Sequence, residues 1–294
     1  MKGKIIKGIA GFYYVYSFED GKIYTTRAVG KLRDEKKKPL VGDNCKIEAV
    51  STDEGSLIDI LPRKNELIRP AVSNIDKMLV IFALSNPDPN LYLLDKFLFF
   101  IEHERLKPVL IFNKEDLNPS EKERIMNIYR GFDAPMIFTD AKDGVNVDKV
   151  KELLKGQTTA VAGPSGVGKS TLINAIVGRD IMETGEISRK TARGKHTTRH
   201  TELFEFDVDG VTSFILDTPG FSSLYLPKLH EQERASDYYP EFLPYMQKCR
   251  FNGCVHDREP DCKVKEAVEK GLISVERYEN YLKIVSEIKN SYRY

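Results

Sequence analysis

Nine consecutive residues constrain this 294-residue chain more than any other stretch: Gly163, Pro164, Ser165, Gly166, Val167, Gly168, Lys169, Ser170 and Thr171. They satisfy G-x-x-x-x-G-K-[ST], with an apolar β-like run, Thr159 to Ala162, before them and a helical pattern, Leu172, Ile173, Ala175 and Ile176, after. Strand, glycine-rich turn and helix in that order make a phosphate cradle. The glycines let backbone N–H groups turn inward at the positive end of the helix. Lys169 would neutralise the β and γ phosphates of a nucleotide, and the Ser170 hydroxyl would hold Mg²⁺.

A second motif follows the apolar run Val109 to Phe112: Asn113, Lys114, Glu115 and Asp116. A carboxylate such as Asp116 can accept from N1–H and the 2-amino group of guanine together, a donor pair that adenine lacks. Asn113 would fix the loop, and the Lys114 stem would lie across the base. Asp140-Ala141-Lys142 closes the next expected strand; Ala141 and Lys142 can add a backbone N–H to guanine O6, although GTPases usually carry Ser where Asp140 stands. Asp217-Thr218-Pro219-Gly220 ends the strand Phe214 to Leu216. Asp217 suits Mg²⁺ held through water, and the Gly220 N–H suits the γ-phosphate. Phe221 occupies the place where familiar GTPases have a water-orienting Gln.

Between these motifs, residues 188–200 hold five Lys and Arg and no acid, without hydrophobic periodicity, which predicts a mobile loop. Thr197 or Thr198 could complete the Mg²⁺ shell, and His196 is the nearest replacement for the missing Gln. The order is unusual, because N-K-E-D and D-A-K precede the phosphate loop. That is a circular permutation, which compact domains tolerate when their original termini lie close together.

The flanks read differently. Residues 1–66 alternate β-rich runs (5–10, 12–18, 22–29, 45–50 and 57–61) with glycine turns, and five strands in that length predict an OB-type barrel. Its longest connection carries Lys31, Arg33, Lys36, Lys37 and Lys38, a solvated run that could also meet an RNA backbone. Residues 67–223 alternate strand and helix as an α/β domain with a mostly parallel sheet, closed by a hairpin at Asp209-Gly210. Residues 224–294 read as helical around Cys249-x4-Cys254-x-His256-x5-Cys262, a closed donor set for structural Zn²⁺. Cys45 stands apart and reads as core filling.

Composition bounds the rest. A formal net charge of +1 leaves nucleic-acid contact to local basic patches. The longest apolar run, Met78 to Leu84, falls far short of the roughly 20 residues that span a bilayer. The N-terminus has no signal-like apolar core, so a cytoplasmic protein without membrane contact is expected. Two rivals stay in view: an RNA-binding scaffold with nucleotide as a structural ligand, and an ATP-using enzyme, which Asp116 opposes.

Barrel, permuted motif order and C-x4-C-x-H-x5-C together resemble the small-ribosomal-subunit-dependent GTPase A family, also called YjeQ or YloQ, over essentially the whole chain. The resemblance implies a GTPase that acts late in assembly of the small ribosomal subunit, as a monomer whose hydrolysis the subunit stimulates and whose barrel touches ribosomal RNA. Gly194-Lys195-His196-Thr197-Thr198 matches that family's first switch. By position, His196 is then the catalytic histidine and Thr198 the switch threonine, while Arg199 stands where a third Thr is frequent.

Overall fold

The computed structural model describes the chain except residues 31, 33–37, 69, 183–200, 218–225 and 292–294. The chain divides into two compact units, one of residues 1–79 with 141–222 and one of 80–140 with 223–294.

The first unit opens with a closed barrel of β1 (Lys2–Ile9), β2 (Phe12–Ser17), β3 (Ile23–Ala28), β4 (Asn44–Ala49) and β5 (Glu54–Ile60), in the order β1-β2-β3-β5-β4. All five expected strands are present. Alternation puts Ile5, Val15, Tyr24, Cys45, Ile47 and Leu57 inside. Cys45 fills core as expected; its thiol donates to Gly3 O, and burial pushes it up to about 12.

Two short strands that the sequence did not announce, β6 (Glu66–Leu67) and β7 (Val72–Ser73), follow the barrel and pair antiparallel. They are held to it by Asp43, a fully buried carboxylate that accepts from Arg63 Nε at 2.7 Å and Ser73 Oγ at 2.6 Å. Gly42 is required here, since it sits at φ +96° and a Cβ would lie 2.0 Å from Ser73 O.

Lys4 is buried in the same region, 5% exposed, with Nζ donating to Gly42 O at 3.2 Å and 5.7 Å from the Phe214 ring centre. Burial, with Lys64 nearby, lowers its ammonium to about 8. Between that value and its unfolded value of 10.5, the unfolded chain binds a proton that the folded chain has released, so stability rises with pH in that window. Relative to Lys4→Met, the wild-type protein should gain at most about 3 kcal/mol between these pH values, measured by denaturant unfolding. Parallel curves for the two proteins would remove this account of Lys4.

The chain crosses from the first unit to the second within β8 (Lys77–Ala83). In the second unit follow α1 (Leu91–His103), β9 (Lys107–Asn113), α2 (Pro119–Ile128) and β10 (Met136–Thr139), with strand order β10-β9-β8. In the first unit lie α3 (Val147–Leu154), β11 (Thr158–Ala162), α4 (Lys169–Val177), β12 (Leu203–Val208) and β13 (Val211–Asp217), with order β11-β13-β12. β9 pairs parallel with β10 and β11 parallel with β13, while β12 and β13 form the expected antiparallel hairpin. Asp209 and Gly210 both take positive φ at its turn, +49° and +76°.

The second unit ends with one-turn α5 (Leu243–Met246), then α6 (Lys263–Glu269) and α7 (Val275–Ser291). Tyr239, Phe242, Val264, Tyr281 and Ile284 pack there with Phe99 of α1.

Candidate nucleotide site and metal centre

In the first unit, β11 is buried along its whole length and delivers the chain into the glycine-rich turn. Gly163, Gly166 and Gly168 have φ of +143°, +82° and +94°, conformations that residues with a Cβ rarely adopt. Val167 is buried and anchors the turn. Lys169, the first residue of α4, folds back over it and donates to Gly163 O at 2.9 Å and Pro164 O at 2.7 Å. The ammonium is therefore held over the loop from the start of α4, which begins at Lys169, Ser170 and Thr171.

β13 ends beside this turn. Val161 and Asp217 are register partners, so the phosphate loop and the D-T-P-G motif leave the same end of two parallel strands. Thr218, Pro219, Gly220 and Phe221, and His196, Thr197 and Thr198, lie outside the described residues. Sequence reading passed over Asn174. This α4 residue accepts from Ile181 N–H and Met182 N–H at 3.1 and 2.9 Å and donates to Met182 O at 3.0 Å, which fixes the chain as it leaves the helix.

In the second unit, β9 places Asn113 at its end, 3% exposed, with Oδ1 accepting from Thr139 Oγ1 at 3.1 Å. Thr139 ends the parallel neighbour β10, so this bond ties the ends of the two strands together. Lys114 takes φ +62° and its ammonium donates to Asn86 O, while Glu115 pairs with Lys122. Asp116 lies in the short 3-10 turn Glu115–Leu117. Asp140 follows β10 and is the last residue of this stretch of the second unit; Ala141, which is buried, and Lys142 belong to the first.

Also in the second unit, Cys249, Cys254, His256 and Cys262 bring their ligand atoms within 4.8 Å of one another. Cys249 Sγ lies 3.9 Å from Cys262 Sγ and 3.7 Å from His256 Nδ1, and Nδ1 lies 3.4 Å from Cys262 Sγ. A tetrahedron with zinc–sulfur bonds of about 2.3 Å has edges of about 3.8 Å, so the donor set fits such an ion without an open position. Burial favours neutral forms here, lowering His256 and raising the Cys254 thiol to about 12. Three sulfurs packed this way need a cation to be held as thiolates. Lys263 N–H donates to Cys249 Sγ at 3.4 Å, and Tyr278 and Tyr281 hydroxyls donate to His256 O and Val255 O at 2.7 and 2.8 Å. His256 Nε2 is buried without a hydrogen-bond partner among the described residues. Spacing had picked out the four residues that could hold a metal; the tyrosine bonds had no local signal.

Comparison with known proteins agrees over the full length. The family model described as RsgA GTPase matches residues 60–227, and that of the RsgA N-terminal domain matches residues 2–57. The chain is 49% identical to the small ribosomal subunit biogenesis GTPase RsgA of Agathobacter rectalis, with 100% of each covered. It is 46% identical to that of Alkaliphilus metalliredigens, covering 100% of this chain and 99% of the relative. Among solved structures, YjeQ from Thermotoga maritima superposes with TM-score 0.82 at 34% identity, covering 98% of both chains. YloQ, described as a circularly permuted GTPase, gives 0.80 at 33% identity, covering 99% of this chain and 95% of that one.

Proposed function

Since the chain belongs to the RsgA GTPase family, we propose that it hydrolyses GTP to GDP and phosphate as a late assembly factor of the small ribosomal subunit, which stimulates the reaction. The observation that carries this reading is the register of β11 against β13, which brings the start of D-T-P-G to the phosphate loop in a chain whose N-K-E-D comes first. Residues 1–66 form the module that meets ribosomal RNA, 67–223 the permuted GTPase domain and 224–294 the zinc module. The protein works as a cytoplasmic monomer; among the described residues no helix is long and apolar enough to cross a membrane.

In this reading the backbone of Gly163 to Gly168, with Lys169 and Thr171, holds the β and γ phosphates, and the Gly220 N–H meets the γ-phosphate. Asp116 reads N1–H and the 2-amino group of guanine, with Asn113, Lys114 and Glu115 shaping the loop and Ala141 and Lys142 bounding the base. Ser170, Thr198 and Asp217 hold Mg²⁺, which offsets phosphate charge. His196 orients the attacking water and accepts its proton. Cys249, Cys254, His256 and Cys262 hold Zn²⁺ as a structural ion.

The test is GTP turnover with and without purified small subunits. Without them it should be slow, on the order of 10⁻⁴ to 10⁻² s⁻¹ as for GTPases lacking an external activator, and subunits should raise it at least about tenfold. A fast rate indifferent to subunits would end this reading. The base assignment has its own check. Asp116→Asn exchanges an acceptor for a donor, so guanine nucleotides should lose on the order of 10²-fold or more in affinity and xanthine nucleotides should gain. An unchanged preference would place the base elsewhere.

A further inference from the structure

Within the first unit, the barrel is joined to the β12–β13 hairpin at two places. At one, Tyr16 of β2 and Phe18, just past its end, meet Phe214 of β13 edge-on, with ring centres 5.5 and 6.3 Å apart, and Tyr16 shares a 3.4 Å hydrogen bond with Thr212. Phe214 is three residues before Asp217. At the other, β1 meets the start of β12. The β1–β2 register passes from Ile5↔Val15 to Lys7↔Tyr14, leaving Ile6 as an extra residue. A bulge of this kind re-aims the side chains that follow it. Ile5 fills the barrel core, Ile6 is buried outside that cluster, and Lys7 is turned to Glu202. The two form an isolated antiparallel bridge through their backbones, and Lys7 Nζ donates to Glu202 Oε2 at 2.7 Å.

Glu202 stands four residues after Thr198 and six after His196 in the chain. The bulge turns a charged side chain to one distant partner, although aromatic contacts already seat the barrel on Phe214. We infer that Lys7 and Glu202 are positioning residues for GTP hydrolysis. Their pair fastens barrel strand β1 to the point where the chain returns from His196 and Thr198, so that whatever engages the barrel acts on the hydrolytic residues through this tie. The inference rests on the proposed role of His196 and on subunit-stimulated hydrolysis. Linkage makes it reciprocal: a nucleotide state that moves Glu202 alters how the barrel binds its partner.

The pair is about 30% exposed on both sides, 28% and 31%, so its effect belongs in the coupling rather than in global stability. The experiment compares wild type, Lys7→Glu, Glu202→Lys and the exchanged double variant, all full-length. The readout is the ratio of GTP turnover with saturating small subunits to turnover without them, beside guanine nucleotide affinity and thermal midpoint. Each single reversal should lower the ratio about threefold to fivefold, the range open to one partly exposed ion pair, and the double variant should restore it to within about twofold. A merely structural role would move the thermal midpoint without this restored ratio.

Single variants with the wild-type ratio would overturn the inference. So would a loss with Lys7→Glu that Glu202→Lys neither shares nor rescues, since Lys7 would then be acting on RNA phosphate directly. Should a reversal prevent folding, Lys7→Gln and Glu202→Gln take its place, with the same direction expected and no change in the ratio counting against the pair. A wild-type ratio of one removes the functional reading itself, which separates that failure from failure of the pair alone.

Discussion

Replacing Arg277 with alanine should destabilise the protein by about 3–5 kcal/mol, the range for removing one partner of a buried ion pair. Its side chain is 3% exposed in α7 and donates to Asp95 Oδ1 of α1 at 2.5 Å and to Glu241 Oε1 at 2.7 Å. The guanidinium also faces the rings of Tyr239, Tyr129 and Phe132 at 4.7, 5.3 and 5.3 Å. Asp95 is fully buried and accepts further from Tyr129 OH at 2.8 Å and Asn280 Nδ2 at 2.7 Å. Burial works to raise its carboxyl above the ordinary range, opposed by Arg277, Asn280 and Tyr129. Without the guanidinium, two carboxylates remain in the interior with their strongest donor gone.

Arg277→Lys should recover only part of the loss, since a single ammonium cannot reproduce the planar fork that serves both acids. Arg277→Leu combined with Asp95→Leu and Glu241→Leu should recover more than Arg277→Leu alone, because the cost lies in the unpaired charges. Denaturant unfolding of the full chain measures all of these. A loss under about 1 kcal/mol for Arg277→Ala would show that the carboxylates find water or another partner.

The proposed zinc should matter at least as much. Stripping it, or Cys262→Ser, should unfold residues 235–291 as a unit, since the free energy of a structural zinc site is folding free energy, about 10–16 kcal/mol in small peptides and an upper bound here. The wild-type protein should release one zinc per chain on thiol modification, and hydrogen exchange over α6 and α7 should accelerate when it does. Protection that persists after zinc removal, or a preparation that never contains zinc, would show that the aromatic core of Tyr239, Phe242 and Tyr281 suffices alone.

Those residues show where sequence reading reached its limit. The cysteines and His256 are close in the chain, and a tetrahedral site can be read from spacing because its geometry is local. The phosphate loop, the Asp209-Gly210 hairpin and the barrel strands were legible for the same reason, each being a pattern within about ten residues. Arg277 and Asp95 are 182 residues apart, and Lys7 and Glu202 are 195 apart. On α7, Arg277 follows Val275 and Glu276 and reads as one more polar residue of an amphipathic helix. Asp95 is followed by Lys96 in a mostly apolar helix, where an acid beside a base carries no periodic signature of a distant partner. Asn174 is similar, because a helical asparagine that caps the following turn looks like any other. Strands β6 and β7 escaped because two residues are too few to establish a period.

The barrel ring closes by pairing β4 with β1, Lys2↔Lys46 through Lys4↔Asn44, so neither strand is left as an open border. A visiting peptide cannot lengthen that ring by lying alongside as a sixth member, since the backbone donors and acceptors there are already taken. Recognition on this module must come from protruding side chains and connecting turns, which can vary from one relative to the next while the ring beneath them stays unchanged.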